Sequence, residues 1–560
     1  MEDQIIQICN KLQLILLYLI FICFIYISEI VSKERLTTGN ETFSESENFS
    51  GNYLSWIFSK KNGDPESIKF FMSKLSDNFS TQDVVIEGFN SSLFSNDWKS
   101  SVHLAKKVLN YDKNDFFANL VMFTESFKNE NYSQSNKYLT NIKKSEIDEN
   151  FLQILRAWNV FSIDKSESSL MFLGNYNDCI PIKCLHLGLV HDLLENKDIS
   201  QKIYLRMLKQ NNLTIRLNEI FLSFFIKMDN RKMVDEILKG IHSVNRDFKL
   251  DLTEPISKDL YSIESPRDGL AEAYFNISGW FYDKKLYKFS VFFGNLGLNL
   301  RNKFPALSSL VAESYKKLQL LEYSLKNLED IDEDSFYYNT AVISKAGIFD
   351  KLGKEDILIN LLKESSKEID SNYLKILLAD SLRSKGSYKE SIKLYDELIS
   401  KMDYFKNSDW GIFYSRGIAH ERLKKWRMAE KDFLKALELM PNEPYVLNYL
   451  GYSWLERNIK LEKALELIII AAEQKPYDAY IIDSLGWAYF LLGEFSSSIK
   501  ILEKAVSLSP NDATLNDHLG DAYWKAGRTR EAISQWRRVL VFDPNFKKKQ
   551  NVKEKIKKGI

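Results

Sequence analysis

Glycine and proline are scarce in this 560-residue chain, at 22 and 10, and histidine is scarcer still at six. So few helix breakers leave little room for the turn-dense architecture of a sandwich or barrel. Five of the prolines, Pro441, Pro444, Pro476, Pro510 and Pro544, fall at helix-boundary spacing near one end, which makes an all-α chain the expectation. Catalytic signatures are missing as well. No phosphate-binding or dinucleotide-binding glycine loop, no H-E-x-x-H and no G-x-S-x-G occurs, so an enzyme, a cofactor and a small-molecule substrate are not expected. Acidic and basic residues balance at 76 each, and with no net field nucleic acid is not an expected partner. Cysteine is limited to Cys9, Cys23, Cys179 and Cys184, which is no disulfide framework. Cys179, Cys184, His186 and His191 are all zinc-ligand types, but their spacing fits no common zinc pattern, and positions five apart share a helix face poorly. Buried structural cysteines beside ordinary histidines is the favoured reading, with a metal-dependent enzyme as the alternative.

What the chain does have is a period. Pro441, Pro476, Pro510 and Pro544 recur at intervals of 35, 34 and 34 residues, and Gly417, Gly451, Gly486 and Gly520 lead them by 24 or 25. In the last unit Asn516, Leu519, Gly520 and Tyr523 are followed by Ala532, Trp536 and Pro544. The unit before has Leu485, Gly486, Tyr489, Ser498, Leu502 and Ala505; the one before that has Leu450, Gly451, Trp454, Ala464, Ile468 and Ala471, with one residue inserted. The first keeps Gly417, Ala429, Phe433 and Ala436 but has Arg416 and His420 in place of leucine and tyrosine. Small residues let two antiparallel helices approach, large ones fill the wedge between them, and proline ends the second helix. This pattern resembles the tetratricopeptide repeat (TPR) family. The resemblance implies an α-solenoid of helix-turn-helix repeats wound into a right-handed superhelix, and a scaffold that binds protein or extended peptide without catalysis.

In that family the first helix of each repeat lines the concave groove. With the glycine as position eight, position two carries Gly411, Tyr445, Tyr480 and Thr514; position five carries Tyr414, Asn448, Asp483 and Asp517; position nine carries Ile418, Tyr452, Trp487 and Asp521. The resemblance thus implies a partner-binding groove of Tyr414, Tyr445, Asn448, Tyr452, Tyr480, Asp483, Trp487, Asp517 and Asp521, aromatic in its middle and acidic at its C-terminal end. Aromatic side chains offer large contact area at low entropic cost. Packing between repeats is the alternative role for the same residues.

The remaining chain divides around this region. Residues 1–31 hold the apolar run Leu14–Ile27, expected to be an N-terminal hydrophobic anchor helix in a bacterial membrane, with a cleaved signal sequence and a buried core helix as the other readings. Residues 32–50 read as a polar linker, 51–250 as degenerate helical repeats, 251–269 as a connector, 270–409 as divergent TPR-like repeats, 410–545 as four clear repeats and 546–560 as a lysine-rich tail. The runs Arg416–Trp426, Leu447–Tyr452, Asp483–Trp487 and Asn516–Asp521, with Phe49–Leu54, look like the envelope TPR proteins of alphaproteobacteria. That likeness implies a single-pass inner-membrane protein with a periplasmic body, or a periplasmic protein after signal cleavage. A cytoplasmic-side membrane scaffold and an adaptor for an envelope protease are the alternatives.

Overall fold

The computed structural model describes residues 49–62, 65–75, 82–142, 147–209, 213–244, 262–333, 335–369 and 371–560, and among them there is no β-strand. The expected anchor lies outside the described residues. No described helix is long and apolar enough to cross a membrane.

The chain forms two compact units, residues 1–122 and 123–560. In the first, Phe49–Asn62, Pro65–Leu75, Gln82–Phe94 and Trp98–Tyr111 are helices. Trp56, Met72, Leu75, Val85 and Leu104 are fully buried in it. Asp97 caps the fourth helix by accepting from the Ser100 N–H at 3.3 Å, the side-chain cap that an N-terminal amide needs.

The second unit is a succession of antiparallel helix pairs. From Pro181 onward they are 181–193/197–208, 215–227/231–244, 266–283/287–300, 305–317/321–329, 338–351/355–368, 372–384/388–400, 410–422/426–439, 444–456/461–474, 479–491/495–508 and 513–525/529–542, followed by one more helix, Lys549–Lys558. The first helix of each pair is called A and the second B. Four periodic prolines stand two residues past the B helices that end at Leu439, Gln474, Leu508 and Phe542, where a residue unable to donate a backbone hydrogen bond stops the helix at no cost.

The glycines at position eight have a steric cause. A Cβ on Gly417 would stand 2.7 Å from the Phe433 ring, on Gly486 2.6 Å from Leu502, and on Gly520 2.4 Å from Trp536. In each case the bulky residue lies sixteen positions on, at the centre of the B helix. Upstream the same spacing joins Gly188 to Tyr204, and Ala312–Leu328, Ala346–Leu362 and Ala379–Tyr395 repeat it with buried alanines. Serine twelve positions on adds a second link: Ser200 Oγ donates to the Gly188 carbonyl at 3.0 Å and Ser498 Oγ to that of Gly486 at 2.9 Å.

Turns between A and B helices need one left-handed residue, supplied by Lys424, Gly493 and Gly527. The extra residue expected in the second clear repeat is in its turn, which has two such residues, Asn458 and Lys460. Before Pro266 the packing is not purely sequential. Trp158, on helix Glu149–Asp164, lies where a Cβ on Gly269 would be 2.2 Å from its ring, and Phe151 packs edge-on against Phe293 at 6.0 Å.

Candidate polypeptide-binding groove

Position two is the second residue of each A helix, ahead of the packing shell. Tyr445 is 44% and Tyr480 62% exposed, and both project from the A-helix face. The N-caps behind them are Glu443 and Asp478, whose carboxylates accept the first free amides. Tyr480 Oη donates to Asp512 at 3.3 Å, and Asp512, first through its charge and then through that bond, raises the phenol's pKa.

At position nine Ile418, Tyr452 and Trp487 are half-covered. Trp487 stacks on Phe490 at 4.6 Å and on His518 at 4.2 Å, with its Nε1 donating to Glu456 at 3.3 Å. Tyr452 is half-buried, and desolvation, then Glu456 and Asp483, push its phenol pKa up. Tyr414, at position five, is drawn further in: it lies 6.1 Å from Phe433 and 5.9 Å from Tyr449, and burial pushes its phenol up to about 12. Asn448 stands next in that row with its Oδ1 buried and without a hydrogen-bond partner.

The three acidic residues of the sequence-derived groove are placed differently. Asp483 is buried and meets His518 Nδ1 at 2.9 and 3.0 Å. Asp517 and Asp521 are buried and receive Lys555 Nζ at 2.8 and 2.7 Å, while Trp536 Nε1 donates to Asp521 at 3.0 Å. Position five faces position six of the next A helix, so its carboxylate meets a neighbouring residue before it meets solvent. Behind the last repeat, helix Lys549–Lys558 supplies that neighbour. Burial disfavours a charged His518 ring, but Asp483, with Asp517 and Asp521 beyond it, outweighs this and raises its pKa. Asp521 is raised by burial and by Asp517, against the opposing pull of Lys555. The face therefore presents aromatic groups outward and keeps its acids for internal pairing.

The cysteine and histidine cluster also resolves. Cys179 and Cys184 form a disulfide, with Cα atoms 5.3 Å apart. This corrects the expectation of two buried free thiols: Cys184 is buried, but Cys179 is only half-covered. Cys179 precedes the helix that begins at Pro181, so helical spacing does not restrain the pair. His186 accepts from Trp158 Nε1 at 3.1 Å, and burial pushes its pKa down to about 3. His191 contacts Asn196 at 3.3 Å. Among the described residues no group of three or more potential ligands could hold a metal ion.

Two features escaped sequence reasoning. One is Lys555, hidden among seven tail lysines; the signal was Val552 and Ile556 at helical spacing around it, since Val552 is fully buried. The other is a cleft between the A helices 338–351 and 372–384, where the repeat signature is too worn to be aligned by eye.

A family model described as Tetratricopeptide repeat matches residues 479–512, which span one A–B pair. Residues 479–512 are thus a tetratricopeptide repeat. A TPR repeat-containing protein of Pseudomonas aeruginosa is 27% identical over 168 residues, covering 30% of this chain and 27% of the relative, so the match spans about a quarter of that protein's length. Among solved structures, MamA (residues 41 to the end) of Desulfovibrio magneticus is 23% identical over 31% of this chain and 97% of its own, with a TM-score of 0.28. The Cut9–Hcn1 hetero-tetramer of the APC/C is 16% identical over 86% of this chain and 97% of its own, with a TM-score of 0.38.

Proposed function

We propose that this TPR protein is a membrane-tethered adaptor in the periplasm that holds an extended segment of another polypeptide along the A helices of residues 410–545. The observation that carries the reading is the pair Tyr445 and Tyr480, large aromatics left uncovered at equivalent positions of successive repeats. Such side chains are costly to leave in water and are preferred anchors at interfaces. Half-buried Tyr452 and Trp487 offer a peptide further apolar contact. Two sequence features support the compartment. The run Leu14–Ile27 is long for a soluble helix, and the resemblance is to envelope proteins of alphaproteobacteria. The Cys179–Cys184 bond also suits an oxidising compartment, since cytosolic thiols are kept reduced.

The test is in-cell crosslinking of the full chain, wild type against Tyr445→Ala with Tyr480→Ala. Neither residue supports the core, so the fold is retained. A defined partner captured by wild type and lost from the double variant is the expected result. The same partner list from both would move the site off this face.

A further inference from the structure

Between the A helices 338–351 and 372–384 lies a cleft of about 520 Å³. It opens on the register of the groove just described. With Ala346 at position eight, position nine is Gly347, where later repeats carry Ile418, Tyr452, Trp487 or Asp521. A Cβ at Gly347 would meet nothing within 4 Å, so the cleft exists because no side chain fills it. Tyr373, at position two of the following repeat, is 50% exposed and repeats the placement of Tyr445 and Tyr480.

The walls are of two kinds. Ile343, Leu358 and Leu377 give an apolar floor, while Asp350, Glu355 and Asp380 bring three carboxylates to the lining, which contains no lysine or arginine. Asp380 is engaged, accepting from Tyr395 Oη at 2.6 Å and standing 3.6 Å from Arg383. Asp350 and Glu355 are exposed and make no side-chain hydrogen bond or ion pair among the described residues. Lys385 feels the charge of Glu355 but is bonded to Asp356, and an apolar floor under an acidic rim complements a side chain that is aliphatic along its stem and cationic at its tip.

We infer that this cleft receives a lysine or arginine side chain of the bound polypeptide, the stem over Ile343 and Leu377 and the cation between Asp350 and Glu355. This rests on the polypeptide-binding reading and gives it a chemical preference: a segment with a basic residue placed upstream of the part that meets Tyr445 and Tyr480. Rim carboxylates in water attract weakly one by one and are screened by salt, so the cleft contributes selectivity for the basic residue more than raw affinity.

The experiment uses the full chain, purified in detergent, and a short fluorescein-labelled peptide of alternating serine and arginine, read by anisotropy. A matched peptide carries citrulline, which keeps the stem and removes the charge. Wild type is expected to bind the arginine peptide at least about tenfold more tightly than the citrulline one, with the difference shrinking as salt rises. Gly347→Trp, which fills the cleft from a position with free space, and the pair Asp350→Lys with Glu355→Lys should each remove most of that difference. Tyr445→Ala with Tyr480→Ala should leave it. The charge-reversal pair is exposed and keeps the test valid should the tryptophan disturb the helix, whose content is checked by circular dichroism. Equal binding of the two peptides by wild type, or an unchanged preference in the filled and reversed variants, overturns the proposal. If crosslinking still captures a partner that depends on Tyr445 and Tyr480, the polypeptide-binding reading survives that loss.

Discussion

Lys555 Nζ lies 2.7 Å from both carboxylate oxygens of Asp521. The same ammonium bonds Asp517 at 2.8 Å, so one buried cation is shared by two buried carboxyl groups four residues apart. Removing it takes away the ammonium bonded to both carboxyl groups and leaves Asp521 with Trp536 Nε1.

Lys555→Met is therefore expected to destabilise the last repeat by about 3 kcal/mol or more, as for other buried pairs that lose one partner. Asp521 already has a raised pKa, and the variant raises it further. The penalty is present at neutral pH and shrinks as acid protonates the carboxyl. Hydrogen exchange over residues 513–558 at two pH values would show this; protection equal to wild type at neutral pH would contradict it.

His518 makes the fold sensitive to pH in one direction. Its folded pKa stands above the ordinary 6.5, so the bond to Asp483 contributes its full stabilisation below that value. The contribution is lost as pH rises through the raised pKa. Groups facing the ring are Asp483, Asp517 and Asp521, with Lys555 behind the last two and Trp487 stacked on its face. Thermal midpoints of wild type should fall between about pH 6 and pH 8, and His518→Gln should flatten that slope. A slope that persists in the variant would place the titrating group elsewhere.

Two glycines should respond to alanine with opposite signs. At Gly520 the new Cβ meets the buried Trp536 ring at 2.4 Å, and overpacking of this kind costs about 1–3 kcal/mol. At Gly347 it meets nothing, and alanine in an exposed helix gains about 0.5–1 kcal/mol over glycine. Urea denaturation of the two variants reads both signs; a loss at Gly347 would mean its backbone is needed for something other than space.

If the body is periplasmic, Cys179 and Cys184 are blocked in the cell and react with maleimide only after reductant and denaturant. Cys179→Ser should cost about 2 kcal/mol or less, because the loop it closes is short. Free, reactive thiols at both positions in freshly lysed cells would place the body in a reducing compartment.

The last four repeats were legible because Gly520 tolerates no side chain and Trp536 fills the space above it: one rare residue type and one large one, at fixed spacing. Upstream, Ala346–Leu362 and Ala379–Tyr395 obey the same geometry with residue types so common that spacing alone cannot single them out. The outward aromatics Tyr445 and Tyr480 follow from register, since position two precedes the packing shell. Asp483, Asp517 and Asp521 could not be read in the same way. Their environment is decided by His518 and Lys555, residues 34 or more positions away whose approach depends on how successive helices stack. The disulfide was hidden for a similar reason, because it depends on where the turn before Pro181 releases Cys179 from helical geometry.

The stacked charges also fix the order of the modules. Repeats of one shape could in principle be exchanged or stacked out of sequence, within a chain or between chains. The joints here are keyed: an acid on one A helix accepts a base from the element that follows, Asp483 from His518 and Asp517 from Lys555. Set behind the repeat of Tyr414 or of Asn448, helix Lys549–Lys558 would bury its lysine with no anion to receive it, and that expense is large. The final helix therefore fits only behind a repeat with an acid at position five, as Asp483 and Asp517 provide, and its lysine acts as a proofreading contact for correct assembly.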